Sequence, residues 1–79
     1  SSYGPLPKLI LFPNPVKDFL FFKSDLNILN VKLYNILGEL VLEKKQTDQI
    51  YVGQFSKGLY FVKVEFENGN AIIDKFIVN

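Results

Sequence analysis

The sequence contains no cysteine, no histidine, no methionine and no arginine. Without cysteine there is neither a disulfide framework nor thiolate chemistry, and redox usage says nothing of the compartment. Without histidine, Ser-His-Asp and Cys-His triads and the common zinc sites are excluded, and few general acid–base groups remain near neutral pH. All nine basic residues are lysine, so the guanidinium fork that pairs with phosphate, base edges and carboxylate is missing. Charge of one sign is scarce too. The formal net charge is +1, with acids and lysines interspersed, which leaves no electrostatic footprint for nucleic acid or an anionic membrane. No apolar run approaches the length of a membrane span, and no stretch reads as a signal peptide. A chain that lacks methionine and opens on Ser1 is expected to be a piece cut from a longer protein.

What is present is a core. Of 79 residues 48% are hydrophobic, with eight Phe and four Tyr, enough for one small domain and too apolar for disorder. A chain this short buries only about 60% of its unfolded surface, so its stability is expected to be modest. The end of the chain, GLYFVKVEFENGNAIIDKFIVN from Gly58 to Asn79, reads as a hairpin about Asn68-Gly69. A two-residue loop there sets Val64 against Ile73, Lys63 against Asp74, Phe61 against Phe76 and Tyr60 against Ile77. One face then collects Tyr60, Val62, Val64 and Phe66 with Ala71, Ile73 and Ile77. That register also puts Lys75 opposite Val62 on the apolar face. Either its ammonium snorkels to the rim, or a bulge or longer loop flips the parity and turns it outward, or it serves recognition.

Residues 1–8 (SSYGPLPK) read as a linker, native or left from cloning, because Gly4, Pro5 and Pro7 prevent regular pairing. The single domain is expected over residues 9–79. Leu9 to Phe12 reads as an edge strand stopped by Pro13, and Pro13-Asn14-Pro15 as a rigid corner with two constrained φ angles. Asp18 to Lys23 reads as a strand interior to its sheet or capped at one end, because both of its faces are apolar at the centre. Ser24 to Asn30 reads as a connection whose Leu26 and Leu29 plug the core. Val31 to Tyr34 and Leu40 to Lys45 form a strand pair about Asn35 to Gly38, with Gly38 in the left-handed region. Ile50 to Val52 is a short strand, and Phe55 drops into the core. About seven short strands with no helical apolar period predict an all-β, Ig-like antiparallel β-sandwich, closed by the C-terminal hairpin 58–78.

Catalytic constellations are absent. Glu65 with Glu67, and Glu39 with Glu43, read as the solvent face of half-buried strands rather than as an acid–base pair across a cleft. Asp25, Asn27 and Asn30 offer oxygen ligands for calcium, but one carboxylate cannot neutralise the ion, and Asx turns account for them. Tyr3, Phe22, Tyr34 and Tyr51 are the aromatic candidates for carbohydrate contact, set against ordinary half-buried packing. No catalytic residue, metal site, cofactor or small-molecule substrate is expected.

Three blocks carry a resemblance: FPNPVKDFLFF from Phe12 to Phe22, VKLYNILGELV from Val31 to Val41, and FSKGLYFVKVEFENGNAIIDKFIVN from Phe55 to Asn79. In this order and at these separations the chain resembles the type A C-terminal sorting domain of proteins exported by the type IX secretion system of Bacteroidetes. The resemblance covers Leu9 to Asn79. It implies an Ig-like sandwich that serves as an export address for a cargo fused ahead of it. Such cargo passes from the periplasm to the outer membrane, where the translocon takes the domain. A sortase-type peptidase then cuts in the linker, releasing the cargo or joining it to surface lipopolysaccharide. Pro13, Asn14, Pro15, Gly38, Gly58, Tyr60, Gly69 and Lys75 fit the family pattern, and most serve turns, corners and core. The chain departs from that pattern by ending on Asn79, where a basic residue is common. The alternative is a non-catalytic module gripping polysaccharide or protein, which requires an exposed aromatic strip.

Overall fold

A computed structural model describes residues 6–79, which form seven strands and no helix. They are β1 (Leu9–Phe12), β2 (Phe19–Ser24), β3 (Ile28–Tyr34), β4 (Leu40–Lys45), β5 (Gln49–Tyr51), β6 (Gly58–Phe66) and β7 (Ala71–Val78). A three-stranded sheet in the order β1-β2-β5 faces a four-stranded sheet in the order β4-β3-β6-β7, and every ladder is antiparallel. The chain crosses between sheets after β2, after β4 and after β5, as sandwich topologies require to keep both inner faces covered. Of the linker, residues 1–5 lie outside the described residues. Pro7 is buried, and the Lys8 amide donates to Asp25 Oδ1 at 2.9 Å.

Alternation along the strands decides the core. Leu20, Phe22 and Ile50 point inward from one sheet, and Val31, Leu33, Val62, Val64, Phe66 and Phe76 from the other. Tyr60 stacks between Phe55 and Phe76, with ring centroids 5.4 Å and 5.8 Å away. Its hydroxyl donates to the Ser56 carbonyl at 2.8 Å. That bond from a strand-start tyrosine to the backbone a few residues upstream is the tyrosine corner of Ig-like sandwiches. The expected fold class therefore stands, and Phe55 and Tyr60 sit where the sequence placed them.

The hairpin register differs by one residue from the two-residue expectation. Phe61 pairs with Lys75, Tyr60 with Phe76, Lys63 with Ile73 and Val64 with Ile72. The loop has three residues, Glu67 to Gly69: Phe66 N donates to Asn70 O, and Gly69 N donates to Phe66 O. A type I′ turn needs positive φ at both central residues. Here Gly69 has φ 89, whereas Gln46 is the only non-glycine residue of positive φ among the described residues. Asn68 instead accepts from the Asn70 amide through its side-chain oxygen, at 3.1 Å. The result is a type I turn closed by a left-handed glycine.

A one-residue slip moves every side chain to the other face. Ile72, Phe76 and Val78 therefore face inward on β7, in place of Ala71, Ile73 and Ile77, and Lys75 points to solvent. The apolar face gains Phe76 and sheds its lysine, which avoids the cost of a buried charge. Asp74 takes the inward parity yet stays exposed, and its Oδ1 accepts from the Lys75 amide at 2.8 Å.

A second departure lies in β3, which begins at Ile28 inside the expected connection. The register shifts between Ile28 and Asn30, so Leu29 is the extra residue of a bulge and is exposed. Ile28 takes the plugging role beside Leu26. Gly38 has φ 82, as its turn requires.

Candidate functional site

The geometry that stands out is the meeting of two segments 63 residues apart. Pro13-Asn14-Pro15 forms the corner between β1 and β2, with cis peptide bonds at Phe12-Pro13 and Asn14-Pro15. The corner lies against the outer edge of β7. Asn14 Oδ1 accepts from the Ile77 amide at 3.0 Å. Val16 N donates to Ile77 O, and Asn79 N donates to Val16 O, both at 2.8 Å. Val16 is fully buried and pairs in parallel with Val78. Because prolines carry no backbone donor, the only amides of Pro13 to Val16 are those of Asn14 and Val16. One of these, with the Asn14 side chain and the Val16 carbonyl, clamps the end of the chain.

The clamp lies at one end of the four-stranded sheet. There β3 ends, β4 begins, β6 starts at Gly58 opposite Val78, and Gly38 turns the β3–β4 connection. Gly58 has φ 144, a conformation L side chains rarely adopt, and a Cβ built there meets no atom within 4 Å. The backbone, not crowding, requires glycine at this position. Of the family-pattern residues, Pro13, Asn14, Pro15, Gly38, Gly58 and Tyr60 thus gather at this end. Gly69 lies at the opposite end, and Lys75 stands outside on β7 across from Phe61.

The clamp yields a prediction. Asn14→Ala removes one acceptor, and a net loss of about 0.5–1.5 kcal/mol lowers the melting midpoint by roughly 4–8 °C per kcal/mol in a domain of this size. Asn14→Asp keeps an oxygen at the same place and should melt close to the parent. Thermal denaturation of both variants tests this, and equal midpoints for Asn14→Ala and the parent would remove the clamp from the account.

The aromatic candidates are redistributed. Tyr3 lies outside the described residues, Phe22 is buried, Tyr34 is half-buried and only Tyr51 is exposed. Three residues not among those candidates join it on the outer face of the three-stranded sheet: Phe12, Phe19 and Phe21, each at least 36% exposed. Their rings form a row with Tyr51, at centroid spacings of 5.5 Å (Phe12–Phe21), 6.3 Å (Phe19–Phe21) and 5.3 Å (Phe19–Tyr51). The signal was present in DFLFFK, where both faces of the strand are apolar. The central position of β2 accounts for its pairing, but nothing packs on its outer face among the described residues.

The oxygen-bearing candidates do not converge. Asp25 accepts from Lys8, and Asn27 donates to Glu67 Oε2 at 3.1 Å. Asn30 donates to Glu43 Oε2 and Glu65 Oε1 at 2.8 Å and 3.1 Å. These side chains tie strands together, while Asn35 and Asn68 make the Asx turns. Glu65 also lies 3.8 Å from the Lys32 ammonium. A depression of about 680 Å³ is lined by residues including Leu26, Asn27, Thr47, Asp48 and Glu67, and holds none of the family-pattern positions.

Fold and clamp together define an Ig-like β-sandwich whose own C-terminal strand is tied down by an early proline corner. The chain belongs to the family of secretion system C-terminal sorting domains, which it matches over residues 10–79. Among curated proteins no relative matches it. Membership makes it a type IX secretion C-terminal sorting signal, with the type IX machinery as partner and a fused cargo as passenger. Such a signal directs export to the cell surface or extracellular space, and the family is in general non-catalytic.

Proposed function

We propose that the domain carries a cargo from the periplasm through the type IX translocon across the outer membrane. A sortase-type peptidase then removes it by cutting within residues 1–8, and the cargo is released or attached to surface lipopolysaccharide. The observation that carries this reading is the clamp. Blocks at opposite ends of the family pattern, Pro13-Asn14-Pro15 and the last strand, are joined by direct hydrogen bonds. A domain recognised through its end needs that end held in one conformation. Pro13, Asn14, Pro15, Gly38, Gly58, Tyr60 and Gly69 act by shaping this fold, and Lys75 is available on the surface.

The test is export of a reporter fused to residues 1–79, with and without residues 70–79, in a host bearing the type IX machinery. The full tail should bring the reporter to the surface, and the shortened one should leave it inside the outer membrane. Equal retention of both would sink the proposal. Because the shortening also strips Phe76 and Val78 from the core, Asn14→Ala belongs beside it as a variant that spares the core.

The aromatic row favours a second reading, a protein-binding module. Rings stacked at 5.5 Å and 6.3 Å with interplanar angles of 23° and 29° occupy one another's faces. A sugar needs an open face, so an apolar protein surface suits the row better. Loss of partner capture by Phe19→Ala with Phe21→Ala, in a variant still exported, would support it.

A further inference from the structure

The two sheets present four edges, β1, β5, β4 and β7. An exposed edge is a row of unpaired backbone groups ready for another strand, and proteins blunt it by shortness, charge or cover. β1 has four residues and β5 three. β4 carries Glu43, Lys44 and Lys45 and an irregular register. β7 has eight residues, and its second half is covered by Asn14 and Val16. The first part, Ala71 to Lys75, has no such cover among the described residues.

Ladder alternation says which groups are open. Ile77 turns its N–H and C=O away from β6, to Asn14 and Val16. The residues two, four and six positions earlier, Lys75, Ile73 and Ala71, therefore turn theirs outward as well. The Lys75 amide is taken by Asp74. No hydrogen bond is made by the outward groups of Ala71 and Ile73 among the described residues. At the centre of this stretch Ile73 is 71% exposed. Lys63, across the ladder from Ile73, and Lys75 flank it on the same outer face, and neither has a carboxylate partner among the described residues.

We propose that Ala71–Lys75 is a strand-addition site, where an extended segment of the export machinery pairs with β7. Main-chain hydrogen bonds to Ala71 and Ile73 supply the affinity, as in other strand additions. The complementary segment carries an apolar residue facing Ile73 and an acidic residue beside it for Lys63 or Lys75. The Asn14–Val16 clamp occupies the rest of the edge and sets where the added strand must stop. This proposal rests on the sorting function and goes beyond it by naming the surface and the kind of segment it takes.

The test is a reporter fused to the whole chain, in a type IX host, carrying Ile73→Pro or Ile73→Thr. Proline at an outward amide leaves the bonds to β6 in place and removes one donor from the edge. The Ile73→Pro chain should keep a cooperative melt, whereas surface reporter should fall by about tenfold, as expected when a main-chain hydrogen bond and its fit are lost. Ile73→Thr, which keeps the amide, should fall by about threefold or less. If Ile73→Pro does not fold, Ala71→Pro makes the same test one ladder step earlier. Parent and proline variant exported equally would overturn the strand-addition site and leave the sorting function standing. A parent that is itself retained would overturn both. A dimer of the free chain in sedimentation, abolished by Ile73→Pro, together with unchanged export, would assign the edge to a second copy instead.

Discussion

Phe76→Ala is expected to destabilise the fold by about 3–5 kcal/mol or more, a large part of the margin of so short a chain. Phe76 is fully buried and closes a stack with Tyr60 and Phe55 that spans the sandwich at the start of β6. Removing a buried phenylalanine costs about 3–5 kcal/mol through lost transfer energy and the cavity left behind. The aromatic pair adds about 0.5–1.5 kcal/mol. A chain of 79 residues has a total stability of only about 4–12 kcal/mol. The substitution therefore removes between roughly a third of that margin and all of it. Denaturant titration followed by near-ultraviolet circular dichroism measures this directly. A midpoint indistinguishable from that of the parent would mean that the stack does not anchor the hairpin.

Val16→Asp is expected to be nearly as damaging, by a different route. Val16 lies in the seam between the sheets, fully buried, with its amide and carbonyl bonded to Ile77 and Asn79. No charged residue is buried beside it among the described residues, and an uncompensated buried charge costs about 3–5 kcal/mol. Val16→Ala keeps the backbone bonds and loses two carbon atoms, for about 2 kcal/mol or less. The contrast separates burial from the clamp itself. Amide hydrogen exchange is the suitable measurement, because Val16→Asp should expose the amides of Val16, Ile77 and Asn79 together. If those amides remain protected in Val16→Asp, the corner and the tail are held by something other than this seam.

These two substitutions also bear on export. Both act on the end of the sandwich where the corner, Gly58 and the last residues meet, and both loosen β7 without touching Ala71 or Ile73. An export defect in either would follow from loss of the folded end, whereas the proline at Ile73 acts on an edge that stays folded.

Much of this protein is determined by its sequence alone. The breaks at Pro13, Gly38 and Gly58 and the apolar alternation of β3 and β6 specify seven strands, two layers and a C-terminal hairpin. They do so because proline and glycine act on their own backbone and alternation acts over a few residues. The family is legible for the same reason, since its three blocks are local strings. Tertiary structure alone decided three further matters. The turn at Asn68-Gly69 is compatible with two registers, and burial of Phe76 in place of Lys75 selects between them. The phenylalanines of β2 read as a strand interior to its sheet, yet only the count of layers shows that nothing covers its outer face among the described residues. The bond from Asn14 to Ile77 joins residues 63 positions apart. No local pattern encodes it, because it exists only once two sheets have closed and brought the first corner against the last strand.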